Sequence, residues 1–278
     1  MTATSAPGRT GSAAEVVRGP SWTLMVRSFG SVLRRDLVVT GKDVVAFLAQ
    51  VLLQPVFFLF VFGKLLTGLG YTSSNYPDLL FPGLVALTAT VTAIQATAFP
   101  LVADFGWTKE IEDRLLAPLP LWAVAVEKLV FASMRALVAS AVMFPIGIGV
   151  LGSVPYRPAG LWLLTVVALF GSLVGACIGM TIGTSVPPTK INIAFALIFT
   201  PLLFTGATQY PWPSLGQLRW FQVVTAANPI TYVSEGMRAA LVPNVPHIPG
   251  WICVLALVGS LAIFGTLGMI GFYRRAID

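Results

Sequence analysis

The sequence predicts an all-α membrane protein. It has six transmembrane helices, an N-terminal interfacial helix, a cytoplasmic helix between spans two and three, and short re-entrant helices between spans five and six. Three observations predict this. Only 10% of the 278 residues are charged and 56% are hydrophobic, with mean hydropathy +0.84; a soluble domain carries about 25% charged residues, so this chain could not cover a globular surface. Several apolar runs reach the roughly 20 residues that cross a bilayer, and they are continuous rather than alternating, which favours helices over a barrel. The charges gather in islands between the runs, the densest holding Lys109, Glu110, Glu112, Asp113 and Arg114.

In chain order, residues 1–19 are rich in Ala, Ser, Thr, Gly and Pro and lack an apolar run, so a disordered cytoplasmic tail is expected there rather than a cleavable signal peptide. Residues 20–38 form an amphipathic segment. Trp22, Met25, Phe29 and Val32 recur at helical spacing opposite Arg27, Arg34 and Arg35, a pattern suited to a helix lying in the membrane interface. The six-span domain is expected over 39–278. Span one covers about 44–66 and contains Pro55, which a membrane helix tolerates when neighbours satisfy the freed carbonyl. Span two, about 79–103, carries Thr88, Thr90, Thr92, Gln95 and Thr97. The hydroxyls can bond back to their own helix; Gln95 needs another helix or a wet path.

The charged island follows. Trp107, Ile111 and Leu115 lie four apart on one helical face, and Pro118 and Pro120 end the helix before span three. Span three, about 121–151, begins with Glu127, Lys128 and Arg135, read as charges near the cytoplasmic edge that pair structurally or snorkel. In span four, about 160–184, Gly171, Gly175, Gly179 and Gly183 repeat every four residues and form a smooth stripe for close helix packing, within the chain or across a dimer. Span five, about 191–207, is short and contains Pro201. Residues 208–249 are too broken by proline to span. Asn228 and Pro229 there make a good N-cap and first helical residue, and Glu235 and Arg238 are spaced to pair. Span six is about 250–272.

Six spans put both termini on one side. That side carries Arg9, Arg18, Arg27, Arg34, Arg35, Lys42, Lys109, Arg114, Lys190, Arg274 and Arg275; the other carries Arg157, Arg219 and Arg238, with Lys64 at a boundary. The positive-inside rule then places the termini and the charged island in the cytoplasm of a multi-pass protein of the cell membrane. The net charge of +6 is accounted for by this orientation and by membrane lipids, so no nucleic-acid partner is expected.

The chemistry is defined by what is missing from the sequence. One histidine, His247, and two cysteines in apolar runs, Cys177 and Cys253, leave no metal set, and no catalytic set is present. No Gly-rich loop ends in Gly-Lys-Ser or Gly-Lys-Thr; Gly147, Gly149 and Gly152 match GxGxxG but end a membrane helix instead of following a strand. The chain is therefore expected to be no enzyme and to hold no cofactor of its own. Active transport would need an ion gradient or a separate motor. No ionisable residue is read near the centre of any span, the charges clustering at the expected cytoplasmic edges, which disfavours a gradient-driven carrier, and the island at 104–120 offers a motor a rigid handle.

The order of these elements resembles the transmembrane subunit of type-2 ABC exporters. The run from Lys109 to Pro120, KEIEDRLLAPLP, is similar to that family's acidic-Arg-Leu-Leu-Pro segment, and Asn228 to Arg238, NPITYVSEGMR, is similar to its C-terminal signature. Gly106, Trp107 and Thr108 depart from the more charged start that relatives often show. The resemblance implies a permease that dimerises, with itself or a paralogue, and joins a separate ATP-binding cassette subunit that carries ATP and Mg. It implies that Trp107, Glu110, Ile111, Glu112, Arg114, Leu115 and Pro118 form a coupling helix against that subunit. It further implies a path along spans two and five, with Thr92, Gln95 and Thr200 as contacts, and a re-entrant gate bearing Asn228, Pro229, Glu235 and Arg238. The substrate expected is an amphipathic drug, lipid or glycolipid, since the second span offers mainly threonine. A polysaccharide exporter of the same family, a gradient-driven carrier and a non-transporting membrane scaffold are the alternatives.

Overall fold

The computed structural model describes residues 22–106 and 120–277. The tail at 1–19 and the coupling-helix residues Trp107, Glu110, Ile111, Glu112, Arg114, Leu115 and Pro118 lie outside the described residues. The described residues are predominantly helical, with no strand among them.

Helix α1 (Trp22–Lys42) turns its half-buried Phe29, Val32, Leu33 and Leu37 inward and leaves Arg27, Arg34 and Arg35 exposed; it packs along α4 (Leu121–Leu151). Helix α2 (Val44–Phe58) contains Pro55 and runs on through a π-helical stretch, Leu59–Leu65, to Gly68. Proline lacks the N–H that would bond one turn back, and the wider π geometry follows within one turn of it. Helix α3 (Tyr76–Gly106) is the most buried of the long helices. Helices α5 (Leu161–Ser185) and α9 (Gly250–Ile277) complete the long set.

Helix α3 sits at the centre and touches α2, α4 and α5. In lipid there is little hydrophobic drive between helices, so association depends on close packing. The glycine stripe of α5 supplies it. A Cβ on Gly175 would stand 2.6 Å from the Thr90 carbonyl oxygen, one on Gly179 2.5 Å from that of Ile94, and one on Gly183 3.0 Å from that of Ala98. The fourth glycine, Gly171, faces Val233 instead. All four glycines are therefore used inside the chain.

Among the described residues, five helices are long and apolar enough to cross a membrane: Val44–Gly68, Tyr76–Gly106, Leu121–Leu151, Pro158–Ser185 and Gly250–Ala276. The fifth span expected from the sequence differs. Helix α6 (Ile191–Phe204) has 14 residues, about 21 Å of helix, short of the roughly 30 Å hydrocarbon core. Its flanks extend it. Pro188 sits against Gly106 at one end of α3, while the Thr208 carbonyl sits against Gly83 near the other. Gly83 and Gly106 are 23 residues apart in one helix, about 35 Å. The segment 188–208 thus runs the length of α3 although only part of it is α-helical.

These contacts sort the bundle into two ends. At one end lie α1, the end of α3, the start of α4 and the ends of α5 and α9. Leu101, Val124, Ala125, Met180 and Phe272 pack together there. Arg275 Nη1 donates to the carbonyls of Gly183, Thr184 and Val186 at 3.1, 3.2 and 2.9 Å, satisfying oxygens that the end of α5 leaves open. At the other end lie the starts of α3, α5 and α9 together with residues 207–248. Helix α1 and the last turn of α9 therefore share one end.

Candidate functional site

Two polar assemblies stand out from the apolar bundle, one at the end formed by 207–248 and one along the flank of α3.

The first is built on two short helices, α7 (Arg219–Ala226) and α8 (Pro229–Leu241), preceded by a 3-10 turn at Trp212–Gln217. Asn228 caps α8. Its Oδ1 accepts from the Ile230 N–H at 2.9 Å, while its Nδ2 donates to the Leu202 carbonyl at 2.7 Å and Thr205 Oγ1 at 2.9 Å. Pro229 takes the first helical position, where no N–H is needed. Thr231 Oγ1 donates to the carbonyls of Thr225 and Thr205. The end of α6 and the start of α8 are thereby tied together.

Glu235 and Arg238 pair one turn apart, both fully buried. Glu235 Oε1 also accepts from the Trp212 N–H and Oε2 from the Ile248 N–H, each at 2.9 Å. Arg238 donates to the carbonyls of Ala207 (3.1 Å) and Leu79 (3.4 Å). A buried ion pair holds only when its remaining donors and acceptors are satisfied, and here four backbone groups, from the start of α3, the 207–212 connection and Ile248, satisfy them. The pairing expected from the spacing of Glu235 and Arg238 is present on α8, and the groups around the pair are the protein's own backbone. Tyr76 Oη reinforces the tie by donating to the Gln209 carbonyl at 3.1 Å.

The second assembly is a seam of cavities along α3. In α3 the hydroxyls of Thr88, Thr90 and Thr97 bond back to carbonyls of their own helix at 2.8–3.0 Å. Thr92 does not: its Oγ1 is buried with no hydrogen-bond partner. Thr92 and Gln95 together line a cavity of about 170 Å³ with Phe47, Gln50, Phe99, Pro100 and Arg135. Gln50 and Gln95 also line a smaller neighbouring space of about 30 Å³ with Gln54, Thr88 and Leu203. Toward the α1 end, a cavity of about 200 Å³ shares Ala96 and Pro100 with the first and is lined by Asp36, Asp104 and Lys128. Lys128 Nζ pairs with Asp104 Oδ2 at 2.5 Å there.

Thr200 is not brought to this seam. It is exposed on α6 and lines none of the three cavities. Helix α6 meets α3 through Phe195, whose ring lies 4.9 Å from that of Phe99. Arg135 lies seven residues, about two helical turns, beyond Lys128 on α4, and its guanidinium lies over the Phe47 ring, 4.1 Å from the centroid. Sequence reasoning passed over Gln50 and Gln54, although two amides four apart in an apolar run mark one helix face. Among the described residues no three His, Cys, Asp or Glu side chains converge as a metal site would require.

The comparisons with known proteins agree with this architecture. The chain is 26% identical over 197 residues to the transport permease ycf38 of Cyanophora paradoxa, covering 67% of this chain and 65% of that protein. It is 26% identical over 248 residues to nodulation protein J of Sinorhizobium fredii, covering 85% of this chain and 91% of that one. The family model described as ABC-2 type transporter matches residues 27–242, a range that takes in α1, the cavity seam, the glycine stripe and the Glu235–Arg238 pair; the chain belongs to this family and is a transmembrane permease.

Proposed function

We propose that this permease is the membrane subunit of an ATP-driven exporter that works with a separate ATP-binding subunit and a second permease copy or paralogue. The observation that carries the reading is membership of the ABC-2 type transporter family in a chain without a nucleotide-binding loop. ATP hydrolysis then falls to another subunit, and the coupling helix at 105–118 is its handle. Both termini and that helix face the cytoplasm in this reading, with the 188–208 segment as the sixth crossing. The distribution of Lys and Arg supports the orientation.

Substrate moves along α3 past Thr92 and Gln95, and the 207–248 assembly forms the ledge at the opposite leaflet. An amphipathic small molecule or lipid suits a seam lined by amides, a hydroxyl and apolar side chains better than a polysaccharide, which would need a longer polar and aromatic track.

The test is ATP hydrolysis by the purified complex of this chain with its ATPase subunit. Glu112→Ala with Leu115→Ala is expected to abolish substrate stimulation while the complex still assembles; normal stimulation would sink the coupling role. Transport that survives ATP depletion but collapses with an uncoupler would favour a gradient-driven carrier.

A further inference from the structure

We infer that the cavity around Arg135 is a binding site for the anionic headgroup of an amphiphile. The geometry begins with a cation inside a membrane span. Arg135 lies on α4, in the Leu121–Leu151 span, and charged side chains at such positions are costly and functional unless compensated. The usual compensation is a carboxylate, and none lines this cavity. Asp104 is engaged by Lys128, and Glu127 is two turns away on the same helix. The Phe47 ring covers one face of the guanidinium, a contact that stabilises the cation but uses none of its in-plane N–H donors. The Arg135 Nε is buried with no hydrogen-bond partner.

The remaining lining matches an anion as well. Gln50 and Gln95 offer amide donors, and Thr92 Oγ1, buried and without a hydrogen-bond partner, offers a hydroxyl. A planar guanidinium beside amides and a hydroxyl, with no acid, is a receptor for phosphate or carboxylate oxygens, which arginine binds through paired N–H groups. The cavity of about 170 Å³ exceeds the space of several waters at about 30 Å³ each. It adjoins the Lys128 cavity at the α1 end through Ala96 and Pro100. A headgroup held at Arg135 would thus have a polar approach from that side.

The site adjoins the proposed path and rests on that reading only in treating the ligand as cargo. Binding itself is measured on the permease alone, so a failure of ATP coupling would leave the result intact. Native mass spectrometry of the detergent-solubilised chain with phosphatidylglycerol and with phosphatidylcholine is the experiment. Phosphatidylglycerol is expected to be retained over phosphatidylcholine. Arg135→Gln should weaken its retention by about 10- to 100-fold, the size of losing a charge-assisted hydrogen bond. Arg135→Lys should restore part of it. Thr92→Val with Gln95→Leu should weaken it by a smaller factor, and this variant carries the comparison if Arg135→Gln does not fold. Displacement by excess inorganic phosphate would mark the site as one for free anions, and resistance to phosphate would mark it as one for lipid headgroups; both outcomes support anion binding at Arg135. Equal retention of the two lipids, or no loss in either variant, would overturn it.

Discussion

Replacing Arg238 by leucine tests the assembly at 207–248 most directly. The change keeps the volume of the side-chain stem but leaves the Glu235 carboxylate fully buried without its cation. Two backbone N–H groups, of Trp212 and Ile248, would still reach it, while the Ala207 and Leu79 carbonyls would lose their donor. Breaking one side of a buried pair costs about 3–5 kcal/mol. For a protein of this size each kcal/mol moves the midpoint by about 2–4 °C, so a fall of roughly 6–20 °C in thermal unfolding is expected. Tryptophan fluorescence of the purified protein in detergent reads it, with Trp212 inside the perturbed region. Glu235→Gln should also cost about 3–5 kcal/mol, because it strands the buried Arg238 cation and turns an amide NH2 toward a group that donates to the carboxylate. The double variant Glu235→Leu, Arg238→Leu should cost less than the sum of its leucine single variants, since neither charge is left alone. A midpoint for Arg238→Leu within about 2 °C of the parent would refute the argument that this pair holds α8 to the start of α3, the 207–212 connection and Ile248.

Four further outcomes are expected. Gly179→Leu should push α5 from α3 and lower the unfolding midpoint by an amount matching about 1–3 kcal/mol or more, because its Cβ alone would meet the Ile94 carbonyl at 2.5 Å; Gly149→Ala, with open space around it, should be close to neutral in the same assay. Lys128→Met should lower stability by a few kcal/mol by stranding the buried Asp104, and Asp104→Asn in the same chain should recover part of the loss, measured as a double-mutant cycle. Arg275→Gln removes the donor to three carbonyls at the end of α5 and should speed amide hydrogen exchange at 183–186. Cys177 and Cys253 are buried, at 2% and 0% exposure, so a maleimide should label them only after unfolding, and rapid labelling of the native protein would contradict the packing.

The helices were legible because their signals are local. Apolar runs of membrane length mark α2, α3, α4, α5 and α9. Asn228 and Pro229 mark the start of α8, and the four-residue glycine period marks a packing face. The partners of that face were not legible. Gly175, Gly179 and Gly183 meet α3, but Gly171 meets Val233, because α8 enters the gap at that end of the bundle. Thr92 and its neighbours look alike in sequence, yet Thr88, Thr90 and Thr97 bond to their own helix and Thr92 does not. Thr200 fits the same pattern and faces away from the seam.

A multi-pass apolar chain and its helical architecture follow from sequence alone. Each rests on composition or on run length, and such properties do not depend on which residues meet. Only the tertiary structure decided the roles of the charges. Arg238 and Arg135 are both arginines in largely apolar surroundings. The first finds Glu235 one turn away and the Leu79 carbonyl 159 positions distant; the second lies over an aromatic ring beside amides and a hydroxyl. A charge in low-dielectric surroundings is governed by the few groups within hydrogen-bond reach, and folding brings those groups from distant parts of the chain.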